Sequence, residues 1–115
     1  MERQILQTIP NQFPGRDYEI EVECIEFTCL CPQKPDQPDF ATLKITYVPD
    51  RLLVELKSLK VYLMSYRNQE IYHEAATNQI LEDLVAVSRP RRMRVVGYWN
   101  IRGGIRTTVT ADYGS

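Results

Sequence analysis

The sequence predicts an α+β domain in which a four-stranded antiparallel sheet carries two helices on one face. Residues 18–24 alternate apolar and acidic side chains, which is the two-residue period of a half-buried strand. Residues 70–87 instead place apolar side chains three and four positions apart, as an amphipathic helix does. Two clear signals of different period in one short chain favour a sheet covered by helices.

The predicted elements follow in the order strand, strand, helix, helix, strand, strand. The strands are expected at residues 18–27, 40–48, 93–101 and 105–111, and the helices at residues 51–67 and 70–87. Residues 1–17 contain two prolines and a glycine and are expected to form an irregular arm. Residues 31–39 contain three prolines and are predicted to connect the first two strands outside any ladder.

Length and composition indicate one globular domain spanning residues 1–115. The 14 Lys and Arg residues nearly balance the 15 Asp and Glu residues, so the chain lacks the basic excess typical of nucleic-acid binders. No apolar run approaches the roughly 20 residues that cross a bilayer, and the start lacks the pattern of a secretion signal. Three cysteines cannot all pair within the chain, so we expect a cytoplasmic protein in a reducing setting.

An open four-stranded sheet leaves the backbone of its two edge strands unpaired, and such edges must be covered or paired. Pairing the edges of several copies would close their sheets into one large barrel. We therefore expect a ring-shaped homo-oligomer.

Cys31 is the candidate nucleophile. A cysteine whose pKa is lowered attacks electrophilic carbon, such as that of a carbonyl or a nitrile. Cys29 also suggests a C-x-C metal motif, but two thiols and the single histidine of the chain cannot readily complete a zinc site. Cys24 and Cys29 are therefore expected to be packed side chains, and no metal site is predicted.

Asp39 is the candidate acid, set between Pro38 and Phe40 and near Cys31. An aspartate after a proline commonly caps its own backbone in a turn. A carboxylate close to a thiol can instead act as a general acid. Asp36 competes for the same role, and the residues alone leave both interpretations of Asp39 open.

Lys57 and Lys60 lie three residues apart near a predicted helix start, on one side of the helix. Such charges most often form a solvated face. They could also form a phosphate site that is assisted by the N–H groups of the helix N-terminus. No G-x-G-x-x-G motif follows a strand, which argues against Rossmann-type binding of a dinucleotide.

His73 and Glu74 stand together near the start of the second predicted helix. A glutamate at this position usually interacts with the helix dipole. A carboxylate can also accept two N–H groups from a guanine- or pterin-like ring, which a histidine can help to orient. Arg102 precedes the two glycines of a predicted hairpin turn, and its guanidinium could reach a phosphate.

Together these segments resemble the single-domain NADPH-dependent nitrile reductases of queuosine biosynthesis, the QueF family, over nearly the whole chain. The lysine motif is the most distinctive of them. Two features depart from the family pattern: the spacing from Cys31 to Asp39 is eight residues, one more than in the family, and Cys29 replaces a small residue such as serine. The matching segments are Glu26-Phe-Thr-Cys-Leu-Cys-Pro32, Pro38-Asp-Phe-Ala-Thr42, Val54-Glu-Leu-Lys-Ser-Leu-Lys-Val-Tyr62, Tyr66-Arg-Asn68, His73-Glu74 and Arg102-Gly-Gly-Ile105.

The resemblance implies the tunnelling fold (T-fold), assembled as stacked rings such as a decamer, with active sites between subunits. It implies NADPH-dependent reduction of the nitrile of 7-cyano-7-deazaguanine to 7-aminomethyl-7-deazaguanine, a step of queuosine biosynthesis for tRNA. Cys31 would form a covalent thioimide with the nitrile carbon, and Asp39 would supply protons.

The resemblance also implies binding residues. Lys57 and Lys60 would meet the phosphates of NADPH, and Arg102 is assigned to the same group from its reach toward a phosphate. The deazapurine would be bound by Val54, Glu55, Leu56, His73 and Glu74.

Two other classes of protein stay open on the sequence. A zinc-dependent enzyme of the same fold would act on a reduced pterin or a nucleotide, but it needs several His or Cys ligands. A non-catalytic ring that binds a base would leave Cys31 unreactive. Neither direct nucleic-acid binding nor membrane association is expected.

Overall fold

The computed structural model describes residues 2–114, which form two antiparallel sheets and two helices. The predicted α+β class, its two helices and its antiparallel pairing are confirmed. A 3-10 turn at Arg3–Ile5 precedes the strands β1 (Thr8–Pro10), β2 (Ile20–Cys31), β3 (Lys34–Val48), β4 (Leu52–Val54), β5 (Arg92–Arg102) and β6 (Ile105–Tyr113), and the helices are α1 (Leu56–Met64) and α2 (His73–Ser88).

The larger sheet has four strands in the order β2-β3-β5-β6, each antiparallel to its neighbours. Alternation along the strands buries one face, where Leu43, Ile45 and Val95 have almost no exposed surface. Residues of the other parity, such as Arg94, face away from the core. Both helices contribute side chains to the core that covers the buried face. The opposite face of the sheet is open.

The predicted irregular arm at residues 1–17 is wrong for Thr8–Pro10, which form β1 and pair with β4, whereas residues 11–17 contain no helix or strand. The small sheet also shortens the first helix. The prediction started that helix at residue 51, but β4 occupies Leu52–Val54 and α1 begins at Leu56. Strands of three residues are too short to show a period, and their pairing joins segments that are distant in the chain.

Residues 31 and 34–39 belong to the strands of a hairpin, so the prediction that residues 31–39 connect two strands outside any ladder was wrong for Cys31, Lys34, Pro38 and Asp39, which are paired. Pro32 and Gln33 form the turn, and β3 begins at Lys34 rather than at Phe40. The prolines are tolerated because they lie in the turn, at the start of β3 and in an irregular stretch of the hairpin, where a missing N–H costs little.

The helix α2 begins at His73, three residues later than predicted, because the preceding segment pairs with β2. The N–H of Leu30 donates to the carbonyl of Gln69 at 2.8 Å, and the N–H of Ile71 donates to the carbonyl of Leu30 at 3.0 Å. At its other end the helix stops before Arg89, which adopts the left-handed conformation with φ of 47°. Neither α1 nor α2 is long and apolar enough to cross a membrane.

A buried polar network ties the N-terminal turn to both helices. The carboxylate of Asp83, 2% exposed, accepts hydrogen bonds from Tyr62 Oη at 2.5 Å, Arg3 Nε at 2.7 Å and Gln79 Nε2 at 3.0 Å. The hydroxyls of Tyr62 and Tyr66 are also hydrogen-bonded to each other. Burial raises the pKa of Tyr62 strongly and that of Tyr66 to about 12, so both tyrosines stay neutral around one carboxylate.

Asp83→Ala should lower the free energy of unfolding by about 1–3 kcal/mol, because it removes the acceptor of several buried or partly buried donors. Urea unfolding followed by circular dichroism measures this change. Glu82→Ala alters the adjacent exposed carboxylate and should change stability by less than about 0.5 kcal/mol. Equal losses from the two substitutions would show that the network contributes nothing specific.

Candidate active site

The hairpin of β2 and β3 brings the two candidate catalytic residues to one end of the sheet. Cys31 ends β2 and pairs with Lys34 across the two-residue turn. Asp39 pairs with Cys29, which lies two positions before Cys31 on the same strand. Because side chains two apart on a strand share a face, the pairing places both thiols and the carboxylate on the same side of the hairpin.

The hairpin has two register shifts, one between Cys24 and Phe27 and one between Leu30 and Cys31, and the second lies within the eight-residue spacing from Cys31 to Asp39. Two consecutive residues of β2, Leu30 and Cys31, pair with Pro38 and Lys34 respectively. The intervening residues 35–37 have no partner in this register and form a bulge. Three of the residues between Cys31 and Asp39 therefore lie outside the ladder, and regular pairing resumes at Pro38, next to the acid.

Asp39 is a buried carboxylate, 6% exposed, held by two basic side chains. Its Oδ2 lies 3.1 Å from Nε2 of His73 at the start of α2, and its Oδ1 lies 3.5 Å from Nε of Arg102 at the end of β5. Thr28 Oγ1 donates to the carbonyl oxygen of Asp39 at 2.7 Å. The carboxylate is thus engaged by other elements rather than in capping its own turn. The competing Asp36 is exposed.

The three thiols occupy different environments. Cys29 has no exposed surface, and burial, followed by the charges of Asp39 and Cys31, raises its pKa to about 12. Cys24 is partly buried and packs against the core. The prediction that Cys24 and Cys29 are packed side chains is confirmed. Cys31 is partly exposed at the end of β2, so a substrate can reach its thiol.

Glu55 caps the N-terminus of α1. Its carboxylate accepts hydrogen bonds from the N–H groups of Ser58 at 2.7 Å and Lys57 at 2.9 Å, and these bonds lower its pKa. The donors that a phosphate would use at this helix end are therefore already bound, so the predicted assistance from the helix N-terminus is not seen. The side chains of Lys57 and Lys60 are exposed.

His73 and Glu74 occupy the first turn of α2, where the side chain of His73 is 21% exposed and Glu74 is exposed. The structure brings His73 together with the hairpin and Arg102. It places the remaining predicted residues in a second group around the start of α1, namely Val54, Glu55, Leu56, Lys57 and Lys60. Within residues 2–114 no hydrogen bond or ion pair joins the two groups.

Trp99 is a site residue that the sequence interpretation missed. Its indole stacks on the His73 imidazole, with ring centroids 4.1 Å apart and 6° between the planes. The indole is 2% exposed, and Phe27 packs against it edge-on at 5.7 Å. The alternation of β5 could have placed Trp99 on the buried face. No pattern in the sequence predicts that Trp99 stacks on His73.

No group of three or more His, Cys, Asp or Glu side chains within the described residues is arranged to hold a metal ion. The structure places a partly exposed thiol on the hairpin that also carries a buried carboxylate, and this carboxylate contacts an imidazole. A nucleophile and a proton donor in one site are the groups that covalent catalysis needs. The fold and the site define an α+β domain that carries a candidate nucleophile, Cys31, and a candidate acid, Asp39, on one hairpin.

Comparison with known proteins gives the family. A family model described as "QueF-like protein" matches residues 38–115. Relatives named NADPH-dependent 7-cyano-7-deazaguanine reductase come from Nitrosococcus oceani (60% identical over 94% of this chain and 83% of the relative), Thermomicrobium roseum (61%, 94% and 84%) and Chloroherpeton thalassium (50%, 98% and 97%). The chain belongs to the family of NADPH-dependent 7-cyano-7-deazaguanine reductases.

A solved structure supports the fold. The archaeosine synthase QueF-Like in the apo form matches with a TM-score of 0.78, covering 84% of this chain and 94% of that chain. Sequence identity to it is 23%, so this likeness concerns the fold alone.

Alkylation should distinguish the thiols. With a pKa of about 12, the thiolate fraction of Cys29 at pH 8 is on the order of 10⁻⁴, and the thiol has no exposed surface. Iodoacetamide should therefore modify Cys31 well before Cys29 in the folded protein, as measured by peptide mass spectrometry. In guanidinium chloride all three cysteines should react. Modification of Cys29 as fast as Cys31 in the native state would contradict the assigned environments.

Proposed function

We propose that this protein uses NADPH to reduce the nitrile of 7-cyano-7-deazaguanine, giving 7-aminomethyl-7-deazaguanine for the queuosine modification of tRNA. The observation that carries the proposal is the placement of the reachable Cys31 on the hairpin that also bears the buried Asp39, whose carboxylate contacts His73 of α2. A nitrile is a weak electrophile, so its reduction benefits from both a nucleophile and a proton donor. Free thiols suit a reducing cytoplasm, and residues 1–115 would act as one domain.

Cys31 begins the reaction in this proposal. Its thiolate attacks the nitrile carbon, a C–S bond forms, one C–N π bond breaks, and the nitrogen takes up a proton. The resulting thioimide accepts hydride better than the nitrile does. After this carbon has been reduced once, the C–S bond breaks, the thiolate leaves, and an imine remains for the second reduction. Cys29 cannot take this role, because its buried thiol stays protonated near neutral pH.

Asp39 supplies the protons in this proposal. Its neighbours hold the carboxyl group in position and return protons to it. His73 is partly exposed and lies 3.1 Å from the carboxylate, so it can return protons from the surface. Arg102 contacts the carboxylate and also donates to the backbone carbonyl of Pro38, which fixes both the side chain and the adjoining backbone. Reduction of each nitrile to a neutral amine consumes two hydrides and two protons.

Two NADPH molecules, bound one after the other, would each supply one hydride. Lys57 and Lys60 would hold the cofactor phosphates, and Arg102 is a third candidate. The ammonium groups of Lys57 and Lys60 suit a phosphate, because both side chains are exposed and positively charged. The backbone donors at this end of α1 are bound to Glu55 and would not take part.

The residues proposed to bind the deazapurine lie near the surface of a single chain, with Glu74 exposed and Leu56 61% exposed. A second copy would be needed to enclose the base. The larger sheet offers two outer strands, β2 and β6, whose Ile25 and Ile105 are 70% and 69% exposed. These features support our proposal of a T-fold that assembles into stacked rings such as a decamer, with sites between subunits.

Cys31→Ala should abolish the reaction. The wild type should oxidise two NADPH per nitrile, seen as absorbance loss, whereas the variant should lose at least about 10³-fold in turnover because the nucleophile is gone. Intact mass after incubation with the nitrile alone should show an adduct equal to the added substrate, absent from the variant. Cys29→Ala is the matched control and should keep both adduct and turnover.

Other outcomes would favour other functions. A wild type that does not oxidise NADPH in the presence of the nitrile would refute the reductase. Stoichiometric zinc required for turnover of a pterin or nucleotide would favour the zinc enzyme. Base binding that is identical in wild type and Cys31→Ala, without any adduct, would favour a non-catalytic ring.

Lys57→Ala and Lys60→Ala should each raise the KM for NADPH on the order of tenfold, because each removes a charged contact to phosphate. The KM for the nitrile should change little. Arg106→Ala removes an exposed cation on β6 and is the control for a general loss of positive charge. An unchanged KM for NADPH in both lysine variants would place the cofactor phosphates elsewhere.

A further inference from the structure

The only tryptophan and the only histidine of the chain are stacked on each other at the proposed site. The His73 ring is contacted from two directions. Trp99 covers its face at a centroid distance of 4.1 Å, and Asp39 Oδ2 meets its edge at Nε2, 3.1 Å away. One imidazole therefore links the acid of the hairpin to an aromatic side chain of β5.

Trp99 itself is held firmly. Phe27 packs edge-on against the indole at 5.7 Å, with 86° between the planes. Gly97 also lies against the indole, since an added Cβ there would be 2.7 Å from Trp99 Nε1 and 3.0 Å from Thr77 Oγ1. The absence of a side chain at Gly97 thus provides the space that the indole occupies.

Stability alone does not account for an indole at this position. Trp99 Nε1 is buried, and it has no hydrogen-bond partner among the described residues. An unpaired buried donor costs about 1–3 kcal/mol, which a phenylalanine would avoid. What the indole offers over a phenyl ring is a larger flat surface, and that surface lies against the imidazole.

His73 benefits from such a support because its side chain is partly exposed and its ring torsion has a broad range of accessible angles. Thr77 Oγ1 donates to the backbone carbonyl of His73 at 2.8 Å, which stabilises the helical turn but does not orient the ring. The stack restricts the plane of the ring, so that Nε2 stays directed at Asp39.

We propose that Trp99 is a positioning residue for proton delivery. It holds the His73 ring in the plane that reaches Asp39, and Gly97 leaves room for the indole. The inference rests on the proposed reductase function, since the proton concerned is taken up during reduction of the nitrile. Trp99 is buried and acts only through His73.

Trp99→Leu should lower kcat for NADPH oxidation by about 10- to 100-fold, more than it raises the KM for the nitrile, because the acid–imidazole geometry is lost. Trp99→Phe keeps a flat ring and should recover part of the rate. Tyr98→Leu is the matched control, since it removes the adjacent, 46% exposed aromatic from the opposite face of β5 and should leave kcat unchanged. A wild-type kcat in Trp99→Leu would overturn the proposal.

A double-mutant cycle separates positioning from general packing. In a His73→Ala background, Trp99→Leu should cause no further loss of kcat, because its target is already absent. An equal loss in both backgrounds would overturn the proposal, since it would show that Trp99 supports the fold rather than the histidine. Should Trp99→Leu fail to fold, Gly97→Ala, which displaces the indole, replaces it in the same cycle.

The single histidine also gives a readout that does not depend on activity. In NMR spectra of the wild type, the ring protons of His73 should be shifted upfield by the stacked indole, and Trp99→Leu should remove that shift. Unshifted His73 signals in the wild type would overturn the proposal even in an active enzyme. A wild type with shifted signals but no turnover would instead refute the reductase function and leave the stack established.

Discussion

The contact between the Asp39 carboxylate and the His73 imidazole joins β3 to the first turn of α2. Its two members are distant in the chain, so the pair forms only when the hairpin register and the helix start are both correct. Burying a carboxylate is costly unless its hydrogen-bonding and charge are matched, and His73 and Arg102 supply that match from separate elements. The hairpin, the end of β5 and the start of α2 are thus held together by one buried acid.

The spacing of apolar residues predicted the strands and the helix that are long enough to repeat this spacing several times. The long strands β2, β5 and β6 and the helix α2 are of this kind. The strands β1 and β4 have three residues each, and they can be recognised only from their pairing with each other in the structure. The first part of β3 was missed because its prolines are normally excluded from ladders, whereas this hairpin places them where no N–H is needed.

The site was predictable where the chemistry of a residue type decides its role. Cys31, Asp39 and His73 could be named from residue chemistry and family resemblance, and the structure brings the acid and the imidazole into contact. Trp99 could not be named, because its partner is set by how α2 packs on the sheet. The helix cap by Glu55 was also missed, since Ser, Thr, Asp and Asn are the usual capping residues.

The bulge at residues 35–37 divides the hairpin into two parts with different tolerance to change. Beyond it lies little more than a tight turn, and behind it the ladder from Pro38 onward places the acid. A residue inserted within a ladder would turn every following side chain to the opposite face. A residue inserted in the bulge alters only the shape of the tip. The length of the hairpin tip can therefore vary, while Asp39 keeps its register position in the sheet.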